Sequence, residues 1–76
     1  PDTATSYNNL ATNFDAQGRY AEAEALHAKA LAIRDRALGE EHPSTATSYN
    51  NLASNLNVQG RYAEAEALHA KALAIR

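Results

Sequence analysis

Three kinds of side chain in this 76-residue chain could do chemistry, and all three occur twice. His27 and His69 could ligate a metal. Glu22 with Glu24, and Glu64 with Glu66, could act as an acid–base pair. Asn8-Asn9 and Asn50-Asn51 could hold a peptide backbone. A metal needs at least three converging ligands; there is no Cys, and the two histidines read as half-buried packing imidazoles. A spacing of two puts the members of each Glu pair on different sides of a helix, which argues against acid–base work. No Gly-rich phosphate loop and no credible Ser/His/Asp set is present, so no catalysis, metal or cofactor is implied. That leaves the asparagines. An Asn amide offers two donors and an acceptor, so it can pair with a peptide unit whatever the sequence of that peptide.

Charge and composition narrow the partners. Lys and Arg total 7, Asp and Glu 9, for a net charge of -2. No basic run could neutralise a phosphate backbone, so nucleic acid is not an expected partner. Apolar stretches are interrupted every few residues, so no membrane span is expected. Pro1-Asp2-Thr3 shows no signal-peptide pattern, and neither redox compartment nor localisation can be read from a chain without Cys; a cytoplasmic setting is only a default.

The elements that must position these residues are set out by a repeat. Shifting the chain by 42 residues superposes Pro1 on Pro43, Tyr7 on Tyr49, Gly18 on Gly60 and Arg34 on Arg76. All comparable positions are identical except Asp2/Ser44, Thr12/Ser54, Phe14/Leu56, Asp15/Asn57 and Ala16/Val58. A fixed period of this size signals stacked repeats. The predicted units are 1–42, with helices over about 3–17 and 20–38, and 43–76, with helices over about 45–59 and 62–76. Asp2 and Ser44 are candidate N-caps. Tyr7, Leu10, Ala11 and Phe14 define a buried stripe on the first helix. Gly18 breaks the pattern for a tight turn, and Gly39 ends the second helix. Glu40-Glu41-His42-Pro43 connects the two units, with His42 helping the turn.

On the second helix Tyr20, Ala23, Leu26, His27, Ala30, Leu31, Ile33 and Leu38 cover roughly 160° at about 100° per residue. One partner helix cannot cover so wide a face, so this helix is expected to meet both its own first helix and the next repeat. Ala21, Ala25, Ala28 and Ala32, flanked by Lys29 and Arg36, read as a solvated outer face.

The pattern Tyr7, Leu10, Ala11, Phe14, Gly18, Tyr20, Ala23, His27, Ala30, repeated as Tyr49, Leu52, Ala53, Leu56, Gly60, Tyr62, Ala65, His69, Ala72, resembles the tetratricopeptide repeat. The 42-residue unit, with Asn8-Asn9-Leu10-Ala11, Gly18-Arg19-Tyr20 and His42-Pro43, is similar to the kinesin-light-chain type. His27, His69 and Leu56 depart from the usual aromatics without disturbing the fold. The resemblance implies an all-α fold in which α-α hairpins stack into a right-handed superhelical solenoid, with first helices lining its concave face. It implies a polypeptide partner held there, with Asn9 and Asn51, and Asn8 and Asn50 beside them, at the positions that grip an extended peptide in relatives.

The residues independently place Thr5, Asn9, Thr12 and Ala16 opposite the first helix's apolar stripe, with Asn8 and Asp15 on one flank. Their counterparts are Thr47, Asn51, Ser54 and Val58, with Asn50 and Asn57. Three of the five differences between the copies fall on this surface. It carries no Lys or Arg, so it suits an uncharged or mildly basic peptide and not a carboxylate. The same asparagines could instead form solvated ladders between stacked helices.

The second unit stops eight residues short of a full period, and stacked repeats generally need about three units with polar ends. The chain is therefore expected to be part of a longer array, with complementary ends that stack head to tail. Besides the interaction scaffold, the alternatives are a purely structural, self-assembling array and a regulatory repeat region of a larger signalling protein.

Overall fold

Ala, Leu, Glu, Lys and Arg favour helix, and Gly18, Gly39 and Gly60 fall in the breaks between helices, with Pro43 opening the third. The computed structural model describes residues 2–39 and 41–75, and of Asp2 the backbone alone. Pro1, Glu40, Arg76 and the capping role expected of the Asp2 side chain lie outside the described residues. Four helices result: α1 (Asp2–Ala16), α2 (Tyr20–Leu38), α3 (Pro43–Val58) and α4 (Tyr62–Ala74). They pack as α1 on α2 and α3 on α4. α2 also lies along α3, whereas α1 and α3 barely meet.

Each hairpin turn has a specific cause. Gly18 takes φ +78°, its N–H donates to the Asp15 carbonyl at 3.0 Å, and the Arg19 N–H donates to the Phe14 carbonyl at 2.9 Å. This pair of bonds is the Schellman motif, which ends a helix on a left-handed glycine and satisfies its last carbonyls. The turn at Gly60, φ +81°, repeats it with bonds to Asn57 and Leu56. Gln17 joins the turn, so α1 ends at Ala16 and not at the expected Gln17.

The start of α3 differs from the expectation more instructively. Ser44 is inside the helix. The cap is His42, in extended conformation, whose Nδ1 accepts from the Ser44 N–H at 3.0 Å. Pro43 occupies the first helical position, where its missing N–H costs nothing. At the other end α4 stops at Ala74, because Ile75 is extended.

The buried faces are not the predicted ones throughout. On α1 the fully buried positions are Ala4 and Ala11, with Asn8 between them, and Leu10 is 44% exposed. Alanines at the contact allow α2, through its buried Ala23 and Ala30, to approach closely. In the second hairpin the equivalent Leu52 is buried with Ala53, Leu56 and Ala65, and Leu31 of α2 packs against this cluster. Among the described residues no helix lies on the corresponding side of α1, so Leu10 stays open.

The junction between hairpins is polar. Thr45, Ser48 and Asn55 are buried on the side of α3 that meets α2. Thr45 Oγ1 donates to the Gly39 carbonyl at 2.8 Å. Arg34 Nη1 donates to Ser48 Oγ at 2.9 Å. Asn55 Nδ2 donates to Asp15 Oδ1 at 2.8 Å and to the Tyr20 carbonyl at 3.0 Å. Gln59 Nε2 and Arg61 Nη1 both reach Glu24 Oε1, at 3.1 and 2.7 Å. Of these, the bonds made by the buried Thr45, Ser48 and Asn55 are worth about 1 kcal/mol each when neutral and about 1.5–3 when one partner is charged. Their larger effect is directional: a slipped register would leave buried donors unpaired.

Candidate functional site

Thr5, Asn9, Thr12 and Ala16 are exposed along one side of α1. The Asn9 side chain makes no hydrogen bond among the described residues. Thr12 Oγ1 donates to the Asn8 carbonyl at 2.9 Å, one turn back in its own helix. On α3, Thr47, Asn50, Ser54 and Asn57 are exposed, Val58 is 59% exposed and Asn51 is half-buried. Thr47 Oγ1 donates to the Pro43 carbonyl at 3.2 Å. No hydrogen bond among the described residues joins a candidate on α1 to a candidate on α3.

Three of the expected side chains have structural duties instead. Asn8 is buried, and with its amide oxygen turned to the guanidinium it accepts from Arg34 Nη1 at 3.0 Å and Nη2 at 3.2 Å. Since Arg34 also reaches Ser48, it ties α1, α2 and α3 together. Asp15 is half-buried, with one oxygen 2.9 Å from His27 Nε2 and the other taking the Asn55 amide. The difference between Asp15 and Asn57 is therefore a packing difference, not drift on an open surface. Asn57 is exposed and cannot serve its hairpin as Asp15 does; His69 turns the other way, its Nδ1 3.0 Å from Asn50 Oδ1. The contacts of Asn8 and Asn50 run within their own hairpins, so neither residue forms a ladder between stacked helices.

His27 is buried, and its Nδ1 has no hydrogen-bond partner. Glu24, one turn before it, faces away to Gln59 and Arg61. No three His, Asp or Glu side chains among the described residues come together as metal ligands would.

The charged groups near the turns pair with each other. Arg19 forks onto Glu22 through Nε at 2.8 Å and Nη2 at 2.6 Å, and its guanidinium lies over the Phe14 ring at 4.3 Å. Arg61 forks onto Glu64 in the same way and adds Glu24. The hydrogen bond from the guanidinium holds the Glu22 carboxyl below the usual range, and Arg61 does the same to Glu64. With Asp15 engaged internally, the exposed candidates on both first helices are all neutral.

The residues that join the hairpins carry a signal in the sequence that the apolar periodicity does not include. Thr45, Ser48, Asn55 and Gln59 recur at helical spacing and form a second, polar stripe on α3 beside the apolar one. No described helix is long and apolar enough to cross a membrane. A family model described as tetratricopeptide repeat matches residues 2–76. A comparison with curated protein sequences finds no match.

Proposed function

The chain belongs to the tetratricopeptide-repeat family, and on that footing we propose that it is a non-catalytic interaction scaffold holding an extended, uncharged peptide against α1 and α3. Repeats of this family generally mediate protein–protein interaction or scaffolding. The observation that carries the reading is Asn9. Its side chain is exposed, has no hydrogen bond among the described residues and is flanked along the helix by Thr5, Thr12 and Ala16, none of which the fold needs for its core. Its counterpart Asn51 is flanked by Thr47, Ser54 and Val58. Amides in such a row can pair with backbone groups of an extended chain, while Val58 and Ala16 offer small apolar contacts.

A screen of neutral peptides by fluorescence polarisation tests this reading. Replacing Asn9 and Asn51 by Ala together should weaken the best binder by about tenfold or more, equivalent to roughly 1.4 kcal/mol. Unchanged affinity in the double variant would remove the asparagines from the site.

A second reading, end-to-end stacking, is favoured by the side chains exposed on α1 and α4 at the positions that join the two hairpins. Thr3, Ser6, Asn13 and Gln17 are exposed on α1, at the positions of Thr45, Ser48, Asn55 and Gln59, which take part in the junction with α2. On α4, Leu73 is 87% exposed at the position of Leu31. A further hairpin of the same kind would find on α1 the polar stripe that α3 offers to α2.

A further inference from the structure

We propose that the connector between the two hairpins is a pH-sensitive joint, closed by neutral His42 and loosened when that ring takes up a proton. The free donors at the start of α3 are accounted for in turn. Pro43 has no N–H. The N–H groups of Thr45 and Ala46 both donate to the His42 carbonyl, at 2.9 and 3.1 Å. That leaves the Ser44 N–H, which donates to His42 Nδ1 at 3.0 Å. An N–H can only donate, so Nδ1 must present its lone pair, and the hydrogen of the neutral ring sits on Nε2. The side chains most favoured as helix caps, those of Ser, Thr, Asn and Asp, accept through an oxygen that remains an acceptor in mild acid. His42 accepts through a nitrogen that does not, because imidazoles change charge between about pH 5 and 8.

Protonation acts twice in the same sense. It puts a hydrogen on Nδ1, which then faces the Ser44 N–H with nothing to accept it. It also sets a positive charge at the positive end of the α3 dipole. The folded joint therefore prefers the neutral ring. The contribution of that ring is complete above the imidazole range and is lost as pH falls through it. Charged neighbours push both ways. Arg34 of α2 reaches the Ser44 carbonyl at 3.3 Å and disfavours a second cation. Glu41, next in the connector, favours one, but it lines a hollow with Lys71 of α4. His42 is exposed, so a proton has free access to it, whereas the residues that its turn holds in place are buried. Thr45 is buried with its hydroxyl on the Gly39 carbonyl at 2.8 Å, and Ser48, one turn on, is buried with Arg34 Nη1 at 2.9 Å. Fraying of the first turn of α3 withdraws contacts that seat this helix on α2. The joint works whether or not the face carrying Asn9 and Asn51 holds a peptide.

The test follows the whole chain, isotopically labelled, by NMR from about pH 8 to about pH 5. The Ser44 amide proton should move with the same midpoint as the His42 ring, and the carbon shifts of Ser44, Thr45 and Ala46 should leave helical values along with it. The companion measurement is urea unfolding of the parent, His42→Asn and His42→Ala. Asn caps through an oxygen and does not titrate. Across the range the parent should lose about fivefold in its folding equilibrium relative to the Asn variant, equivalent to about 1 kcal/mol, a typical cap. His27 and His69 are present in both proteins, so their contributions cancel in the comparison. His42→Ala should be about fivefold weaker than the parent at the high end and close to it at the low end. Parallel pH curves for the parent and the Asn variant, or shifts at Ser44 to Ala46 that stay fixed while the His42 ring takes up its proton, would each overturn the proposal.

Discussion

The side-chain amide of Asn55, on α3, donates at 2.8 Å to the carboxylate of Asp15, on α1, and the other oxygen of that carboxylate sits 2.9 Å from His27 on α2. One acidic group therefore connects three helices and both hairpins. The Asn55 amide also bonds the Tyr20 carbonyl and takes a bond from Gln59 at 2.7 Å, so its donors and its oxygen are all engaged. Such an arrangement admits one register. If α3 slid along α2 by a single turn, the bonds from the Asn55 amide to Asp15 and to the Tyr20 carbonyl would break, at about 1–3 kcal/mol for a buried donor left unpaired.

This gives a comparison the repeat itself supplies. Asn13 occupies on α1 the place Asn55 occupies on α3, but it is exposed, whereas Asn55 is 2% exposed. Asn55→Ala should cost about 2 kcal/mol, because it removes the bonds to the Asp15 carboxylate and the Tyr20 carbonyl. Asn13→Ala should stay within about 0.5 kcal/mol, as surface changes do. Urea denaturation of both variants measures the difference. Equal losses would mean that the polar junction does not hold the hairpins in place.

The same pair of residues shows where sequence reading reaches its limit. The helices and their turns were legible because their causes are local: Gly18 and Gly60 supply the left-handed backbone, and alanines and leucines recur at helical spacing. Burial was not, because a neighbouring element decides it. Leu10 and Leu52 stand in the same words, Asn-Asn-Leu-Ala, yet Leu10 is 44% exposed and Leu52 is buried beside Leu31. Of the candidate site, Thr5, Asn9, Thr12 and Ala16 emerged on an open face, while Asn8 and Asp15 turned inward to Arg34 and His27. Their partners lie twelve or more residues away, and nothing in a local pattern shows that a polar side chain has such a partner.

Acid should weaken the fold through the two hairpin turns. Hydrogen bonding from Arg19 lowers the Glu22 carboxyl from its ordinary 4.5, and Arg61 lowers Glu64 from the same value. A carboxyl that binds protons less readily when folded contributes its stability in full above its unfolded value, and loses it as pH falls through the lower folded value. Both pairs are solvent-exposed, so the contribution is small and salt-sensitive. The Glu22→Gln/Glu64→Gln variant should have a lower thermal midpoint than the parent at neutral pH. The gap should close as pH drops below 4.5 and narrow in high salt. Midpoint curves that run parallel through this window would show that the forks contribute nothing to folding.

Leu31 and Leu73 are the same position in two repeats, but Leu31 packs against the Leu52–Leu56 cluster while Leu73 is 87% exposed. Leu31→Ala should therefore cost about 2 kcal/mol, the low end for a buried leucine because Leu31 is only half-buried. Leu73→Ala should leave the stability of the isolated chain within about 0.5 kcal/mol. The two variants should separate in the opposite sense if the ends of the molecule recognise one another. In such a contact Leu73 of one copy meets the exposed Leu10 of the next, much as Leu31 meets the cluster that holds Leu52. The two surfaces differ, so the contact is heterologous and does not close. Sedimentation velocity over a concentration series reads it: the average mass of the parent chain should climb with concentration, and Leu73→Lys should hold it at the monomer. A parent chain that stays monomeric at the highest concentration would dispose of stacking between copies of this chain.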